Sequence, residues 1–195
     1  KMDQILSDNY GNTHIEDLWI NYFCISSNLS QAEMAIHQSG LLKTALRSTI
    51  AIPGIISPTI LNGHLHVDGG LFNNVPVNVM RQHARGKIIT VDVNGDRNFY
   101  SELNKTPSPW SYLFRLLSPF HKPHNTPNIF DVLVHTSVLT STQKQKYCQK
   151  ESDIYLRPPV DGVGLLDFEH LDTIVEEGYV YGQENIHEIE TILRI

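Results

Sequence analysis

The segment "TILNGHLHVDGG" constrains the fold of this chain more than any other segment. Two β-like runs flank Asn62 and Gly63, a dipeptide typical of two-residue hairpin turns because both positions tolerate positive φ. The segment therefore predicts a β-hairpin whose second arm ends in a pair of glycines. On that arm His64, His66 and Asp68 recur at every second residue, so their side chains would leave the same face of the strand.

Strand and helix patterns alternate around this hairpin. Further strands are predicted at residues 18–26, 87–93 and 153–159, and the continuous Ile/Val run of residues 87–93 is typical of a strand in a parallel sheet that is buried on both faces. Helices are predicted at residues 30–40, 41–52, 73–86, 129–148 and 167–195. The first of these helices is favoured by Ser30 and Glu33, which have the spacing of a capping box. The alternating order of strands and helices predicts an α/β fold. It consists of a layered sheet with helices on both faces, in a single domain.

Composition limits the classes of partner. The 21 acidic and 15 basic residues give a net charge of −6, and no Lys/Arg cluster is present to follow a phosphate backbone, so no nucleic-acid partner is expected. No run of 18 apolar residues appears and the first residues lack the apolar core of a signal peptide, so we expect a cytoplasmic protein, or a peripheral one on the cytoplasmic face of a membrane. Cys24 and Cys148 are expected to be reduced thiols.

The alternation of His64, His66 and Asp68 allows a metal site as one interpretation. Several binuclear metal hydrolases begin their site with His-x-His-x-Asp, but in the metallo-β-lactamase pattern another histidine follows the aspartate, and here that position is Gly69. Zinc needs three or four ligands, and the other histidines form no obvious second pair. The simpler interpretation places His64 and His66 on a hairpin arm close to solvent. We therefore expect no metal ion, and keep a metal-dependent hydrolase as the less favoured alternative.

A second interpretation rests on a family resemblance. The segments that carry it are "IEDLWINYFCISSNLS", "LRSTIAIPGIISPTILNGHLHVDGGLFNNVPVNVMRQHARGKIITVDV", "DIYLRPP" and "DFEHLDTIVEEGYVYG". In this order they resemble the C-terminal half of the patatin-like phospholipase domain, and most closely the branch that contains neuropathy target esterase. The resemblance runs from about Ile15 to Gly182, and it implies a patatin-like fold.

The resemblance also implies a chemistry, which is acyl ester hydrolysis by a Ser/Asp dyad without a cofactor. Asp68 matches the aspartate of the dyad, and Gly69 and Gly70 complete its Asp-Gly-Gly motif. A serine hydroxyl is a weak nucleophile until a base within hydrogen-bond reach takes its proton, and an ionised carboxylate at a rigid strand end can act as that base. Asp68 is accordingly the predicted catalytic residue.

The sequence departs from the family pattern at the nucleophile. Neither the Gly-x-Ser-x-Gly elbow nor the Gly-Gly-Gly-x-[Arg/Lys]-Gly oxyanion loop occurs in it. Both lie upstream in the family, and the chain begins with Lys1, so we expect residues 1–195 to be the C-terminal portion of a single patatin-like phospholipase domain. Ser48 lies inside a predicted helix without flanking glycines, and Ser26 and Ser27 lie at a strand end, so structural roles are expected for all three.

The expected function is that of a serine hydrolase in lipid degradation and lipid metabolism, a phospholipase or lysophospholipase whose substrates are phospholipid or lysophospholipid esters. This chain alone is expected to be inactive because it lacks the serine. A noncatalytic lipid-binding or regulatory fragment is the main alternative. In "SPWSYLFRLLSPF", residues 108–120, apolar residues at helical spacing would suit peripheral membrane contact or, as the commoner role of such a face, core packing.

Overall fold

The computed structural model describes residues 1–83, 85–93, 144, 146–160 and 168–193. Its larger sheet contains β1 (Cys24–Asn28), β2 (Glu33–His37), β3 (Thr59–Leu61) and β4 (His64–Asp68) in the order β2-β1-β4-β3. All three pairs of neighbouring strands are antiparallel. The predicted hairpin is confirmed as β3 and β4, and its turn residues Asn62 and Gly63 have φ values of 51° and 79°.

The helix predicted at residues 30–40 is wrong, since this segment forms β2. The Asn28 side chain accepts hydrogen bonds from the backbone N–H groups of Ser30 and Gln31, and Ala32 has a positive φ of 53°, which together turn the chain back on itself. The hydroxyl of Ser30 accepts from Leu65 N instead of capping a helix. Pairing with β1 over five residues therefore outweighs a local helix signal.

Helices cover both faces of this sheet, as predicted. On one face α2 (Leu42–Thr49) belongs to an apolar cluster against which Cys24 of β1 packs. On the other face α3 (Gly70–Asn73) contacts β1 and β2, and the Asn73 amide approaches Met34. Met34 pairs with Ser27, which lies three residues after Cys24 on β1. Because side chains alternate between the two faces along a strand, Cys24 and Met34 lie on opposite faces of the sheet. The N-terminal α1 (Met2–Tyr10) packs against α2.

A second sheet consists of β5 (Ile89–Val91) and β6 (Ile154–Leu156), which are parallel as the sequence predicts for β5. It adjoins a core cluster of Val77 from α4 (Val77–His83), Ile88 and Cys148, the last in helical residues 146–151. The expectation of a strand buried on both faces is wrong for β5, because Ile89 and Val91 are exposed and Thr90 is buried.

The remaining predicted elements are partly corrected. Residues 18–23 are not a strand, and the predicted C-terminal helix is divided at Asn185 into α5 (Leu171–Glu184) and α6 (Ile186–Leu193). Residues 108–120 and most of the helix predicted at 129–148 lie outside the described residues.

Cys24 and Cys148 are free cysteines. In the described part of the chain no helix has the length and apolar character that crossing a membrane requires.

Candidate active site

Asp68 occupies the last position of β4 and is held at three points. Its backbone N–H donates to Ala51 O at 3.0 Å, and its backbone oxygen accepts from the Ser27 hydroxyl at 2.9 Å. Its carboxylate Oδ1 accepts from the backbone N–H of Gly70 at 2.7 Å. The side chain is only partly buried. The carboxylate is therefore fixed in orientation but not enclosed by the core.

Close approach to neighbouring atoms, and not a positive φ, is what the two glycines after Asp68 share. Gly69 has φ −65° and ψ −22°, which any residue adopts. A Cβ at Gly69 would lie 2.4 Å from Ile25 O and 2.6 Å from Ile25 Cγ1, so β1 leaves no room for a side chain. A Cβ at Gly70 would lie 3.0 Å from Asp68 Oδ1 and 3.1 Å from Asn74 Oδ1. The two glycines thus leave room for the chain to turn from β4 into α3. In this turn the backbone N–H of Gly70 reaches the Asp68 carboxylate.

The environment of Asp68 changes its basicity. Burial raises the pKa of the Asp68 carboxyl above its ordinary value, and the hydrogen bond from Gly70 N–H partly opposes this effect. A carboxylate with a raised pKa holds a proton more strongly than an exposed aspartate does. Such a group is suited to accept a proton from a neutral hydroxyl during a reaction.

The two histidines of the His-x-His-x-Asp run lie in different surroundings. His66 is buried, and its Nδ1 lies 2.8 Å from the hydroxyl of Ser26. His64 is only partly buried at the hairpin end of β4. Among the residues that the structure describes, no group of three or more His, Cys, Asp or Glu side chains is placed to hold a metal ion.

Ser26 is the centre of a polar cluster that the sequence analysis missed. Its hydroxyl lies 2.7 Å from His37 Nε2 as well as 2.8 Å from His66 Nδ1, and the side chain is fully buried. The three residues come from β1, β2 and β4. No local signal marks this cluster, because the sequence predicts a helix at His37 and the pairing of β1 with β4 joins residues about 40 positions apart.

Ser48 has the structural role expected of it. The side chain is fully buried in α2, and its hydroxyl lies 2.8 Å from the backbone oxygen of Ala45 and 3.1 Å from that of Thr44. These bonds stay within one helix, so Ser48 is satisfied by its own backbone.

Comparisons with known proteins relate this chain to patatin-like phospholipases. A model of the patatin-like phospholipase family matches residues 2–81, a range that includes the Asp-Gly-Gly motif. A lysophospholipase NTE1 from Meyerozyma guilliermondii is 33% identical over 177 residues, which cover 90% of this chain and 12% of that protein. The patatin-like phospholipase domain-containing protein ZK370.4 from Caenorhabditis elegans is 36% identical over 196 residues, covering 95% of this chain and 14% of the relative.

A third relative is the neuropathy target esterase sws from Drosophila melanogaster, 31% identical over 192 residues, or 94% of this chain and 13% of that protein. The chain thus spans only a small part of each of these curated relatives. Residues 2–81 match the patatin-like phospholipase family, and most of the chain is similar to relatives named lysophospholipase NTE1 and neuropathy target esterase.

Proposed function

We propose that residues 1–195 are the aspartate-bearing, C-terminal portion of a single patatin-like phospholipase domain, which hydrolyses phospholipid or lysophospholipid esters with a Ser/Asp dyad. The observation that carries the proposal is the Asp68 carboxylate, held at the end of β4 by the Gly70 N–H inside the segment that matches the family. The names of the relatives, lysophospholipase and neuropathy target esterase, support the ester class of substrate.

In the proposed reaction Asp68 acts as general base and then as general acid. It takes the hydroxyl proton of a serine, outside this chain, while the serine oxygen attacks the acyl carbonyl carbon and forms a tetrahedral intermediate. The intermediate collapses to an acyl-serine, and the protonated Asp68 gives its proton to the departing alkoxide of the lipid. Asp68 then takes a proton from water, whose oxygen attacks the acyl-serine, and collapse releases the fatty acid and returns the proton to the serine. These steps use no metal ion or organic cofactor.

The raised pKa of Asp68 fits both roles. A group that cycles between base and acid works best when its pKa approaches the working pH, and burial moves the pKa of Asp68 in that direction. The fixed orientation reduces the entropic cost of the proton transfer. We place the enzyme in the cytoplasm or at the cytoplasmic face of a membrane, where it would meet its lipid substrate.

The test is Asp68→Asn in the longer protein that contains both this chain and the serine. Asparagine keeps a side-chain oxygen that can accept from Gly70 N–H but is not a base, so we expect a loss of roughly 10²–10⁴ in kcat with the protein still folded. Asp153→Asn is the matched control, because the Asp153 carboxylate also accepts a backbone N–H, that of Ile88 at 2.8 Å, but lies in the β5–β6 region. An Asp68→Asn variant that turns over ester as fast as the Asp153→Asn variant refutes the assignment.

Labelling with a fluorophosphonate distinguishes the remaining alternatives. The longer protein should be labelled at its serine, and the isolated 195-residue chain should remain unlabelled and inactive. An unlabelled longer protein that still binds phospholipid vesicles would support a noncatalytic lipid-binding role. Ester turnover that a chelator abolishes, with stoichiometric zinc in the purified protein, would support the metal hydrolase.

A further inference from the structure

The buried cluster around Ser26 has a restricted set of protonation states. The hydroxyl has one proton to donate, and it faces two imidazole nitrogens, His37 Nε2 at 2.7 Å and His66 Nδ1 at 2.8 Å. The hydroxyl donates to one nitrogen and accepts from the other, so at least one ring must present an unprotonated nitrogen. If both rings were imidazolium, both nitrogens would be donors and the hydroxyl proton would lose its acceptor.

The same cluster is coupled to Asp68 through strand pairing. Ser26 lies directly opposite Asp68 across β1 and β4, and directly opposite Ala35 across β1 and β2. Side chains of opposed residues share one face of a sheet, so Ser26 lies on the Asp68 side of β1. The hydroxyl of the next residue, Ser27, donates a hydrogen bond to the backbone oxygen of Asp68 at 2.9 Å. Two consecutive serines of β1 therefore fix the end of β4 that carries the carboxylate.

We propose that Ser26, His37 and His66 form a positioning network that holds β4 against β1 and β2 so that Asp68 faces its reaction partner, and that acidification releases this network. The proposal rests on the proposed function of Asp68. The three residues act through Asp68 and do not touch the substrate. Because the network needs a neutral ring, its positioning effect is present near neutral pH and is lost when both rings carry a proton.

The surroundings of the two rings favour their neutral forms. Burial lowers the pKa of His37, with a further contribution from the nearby His66. Burial also lowers the pKa of His66, with a further contribution from His64. The ring centroids of His37 and His66 are 6.1 Å apart, so a charge on one ring disfavours a charge on the other. The elements that contact the three strands of the network carry these other titratable residues: Cys24 on β1, Glu33 on β2, Lys43 and Arg47 on α2, and His64 and Asp68 on β4.

The first experiment is Ser26→Ala in the longer, serine-containing protein, with Ser48→Ala as the matched control. Both serines are fully buried, but Ser48 bonds only to the backbone of its own helix. We expect Ser26→Ala to lower kcat by roughly tenfold or more with little change in KM, because a displaced base slows the proton transfer without altering lipid binding. Ser48→Ala should leave kcat and KM near the wild-type values. Equal kinetics for the two variants would overturn the proposal.

The second experiment is the double variant His37→Gln with His66→Asn, which remains informative if Ser26→Ala fails to fold. The glutamine amide reaches the position of Nε2 and the asparagine amide that of Nδ1, and neither titrates. We expect the double variant to keep a higher kcat at pH 8 than Ser26→Ala. The acid limb of its kcat profile should move to lower pH, since only the titration of Asp68 would remain. A profile that superimposes on the wild-type curve would overturn the proposal.

A third measurement is independent of ester turnover. The pKa values of both histidines lie below their ordinary value in the folded state, so the unfolded chain binds more protons as pH falls through about 6.5. The contribution of these two histidines to folding stability is therefore fully present above about pH 6.5. It is lost as the pH falls through the lower pKa values of the folded state. The midpoint of thermal unfolding should therefore fall less between pH 7 and pH 5 in the double variant than in the wild type. An equal fall would refute the network even if Asp68→Asn also showed the proposed function to be wrong.

Discussion

The strongest steric constraint near the candidate site is at Gly69, and Gly69→Ala tests it. The added Cβ would lie 2.4 Å from Ile25 O and 2.6 Å from Ile25 Cγ1, whereas favourable contacts between carbon atoms begin at about 3.5 Å. Rotation of the Ile25 side chain can relieve the second contact but not the first, which is with backbone. The β1 and β4 strands would have to separate by about 1 Å to restore an ordinary van der Waals distance between the new Cβ and Ile25 O. We expect a loss near the upper end of the range for overpacked sites, about 3 kcal/mol.

Urea and thermal unfolding of the chain measure this loss. A loss of that size corresponds to a fall of roughly 6–12 °C in Tm for a chain of this length. Gly178→Ala is the matched control, because a Cβ there meets no atom within 4 Å and the residue lies inside α5. The control should gain about 0.5–1 kcal/mol because alanine favours helix more than glycine does. If the two variants differ by less than about 0.5 kcal/mol, the close approach of Gly69 to β1 is wrong.

Two further predictions concern stability. Gly63→Ala should cost about 1–2 kcal/mol in chemical unfolding, because Gly63 has φ +79° in the hairpin turn, and no measurable cost would argue against that turn. The pKa of Asp153 is lowered, first by the hydrogen bond from Ile88 N–H and then by Arg81, so its contribution to stability is present above the unfolded pKa of about 3.9 and is lost as pH falls through the lower folded value. Asp153→Asn should therefore lower the unfolding free energy more at pH 6 than at pH 2, and an equal loss at both would contradict the carboxylate's role.

Local signals predicted the hairpin and helix α2 well, and failed at β2. Asn62 and Gly63 determine their own turn because both central positions of such a turn require positive φ, and few other residue pairs tolerate it. The capping-box spacing of Ser30 and Glu33 is also a local signal, but a helix there would leave the β1 edge unpaired. Where a local preference of a few tenths of a kcal/mol competes with a five-residue strand pairing, the pairing prevails.

For the candidate site, the sequence by itself predicts Asp68, Gly69 and Gly70, because the three are adjacent and their motif is readable without knowing the fold. The reason for the glycine at position 69 cannot be read in the same way, since its contact with Ile25 belongs to the assembled sheet. Only the tertiary structure placed Ser26 opposite Asp68 and brought His37 and His66 to one hydroxyl. Those contacts join residues 11 to about 42 positions apart, and antiparallel pairing, not the local sequence, determines which of them meet.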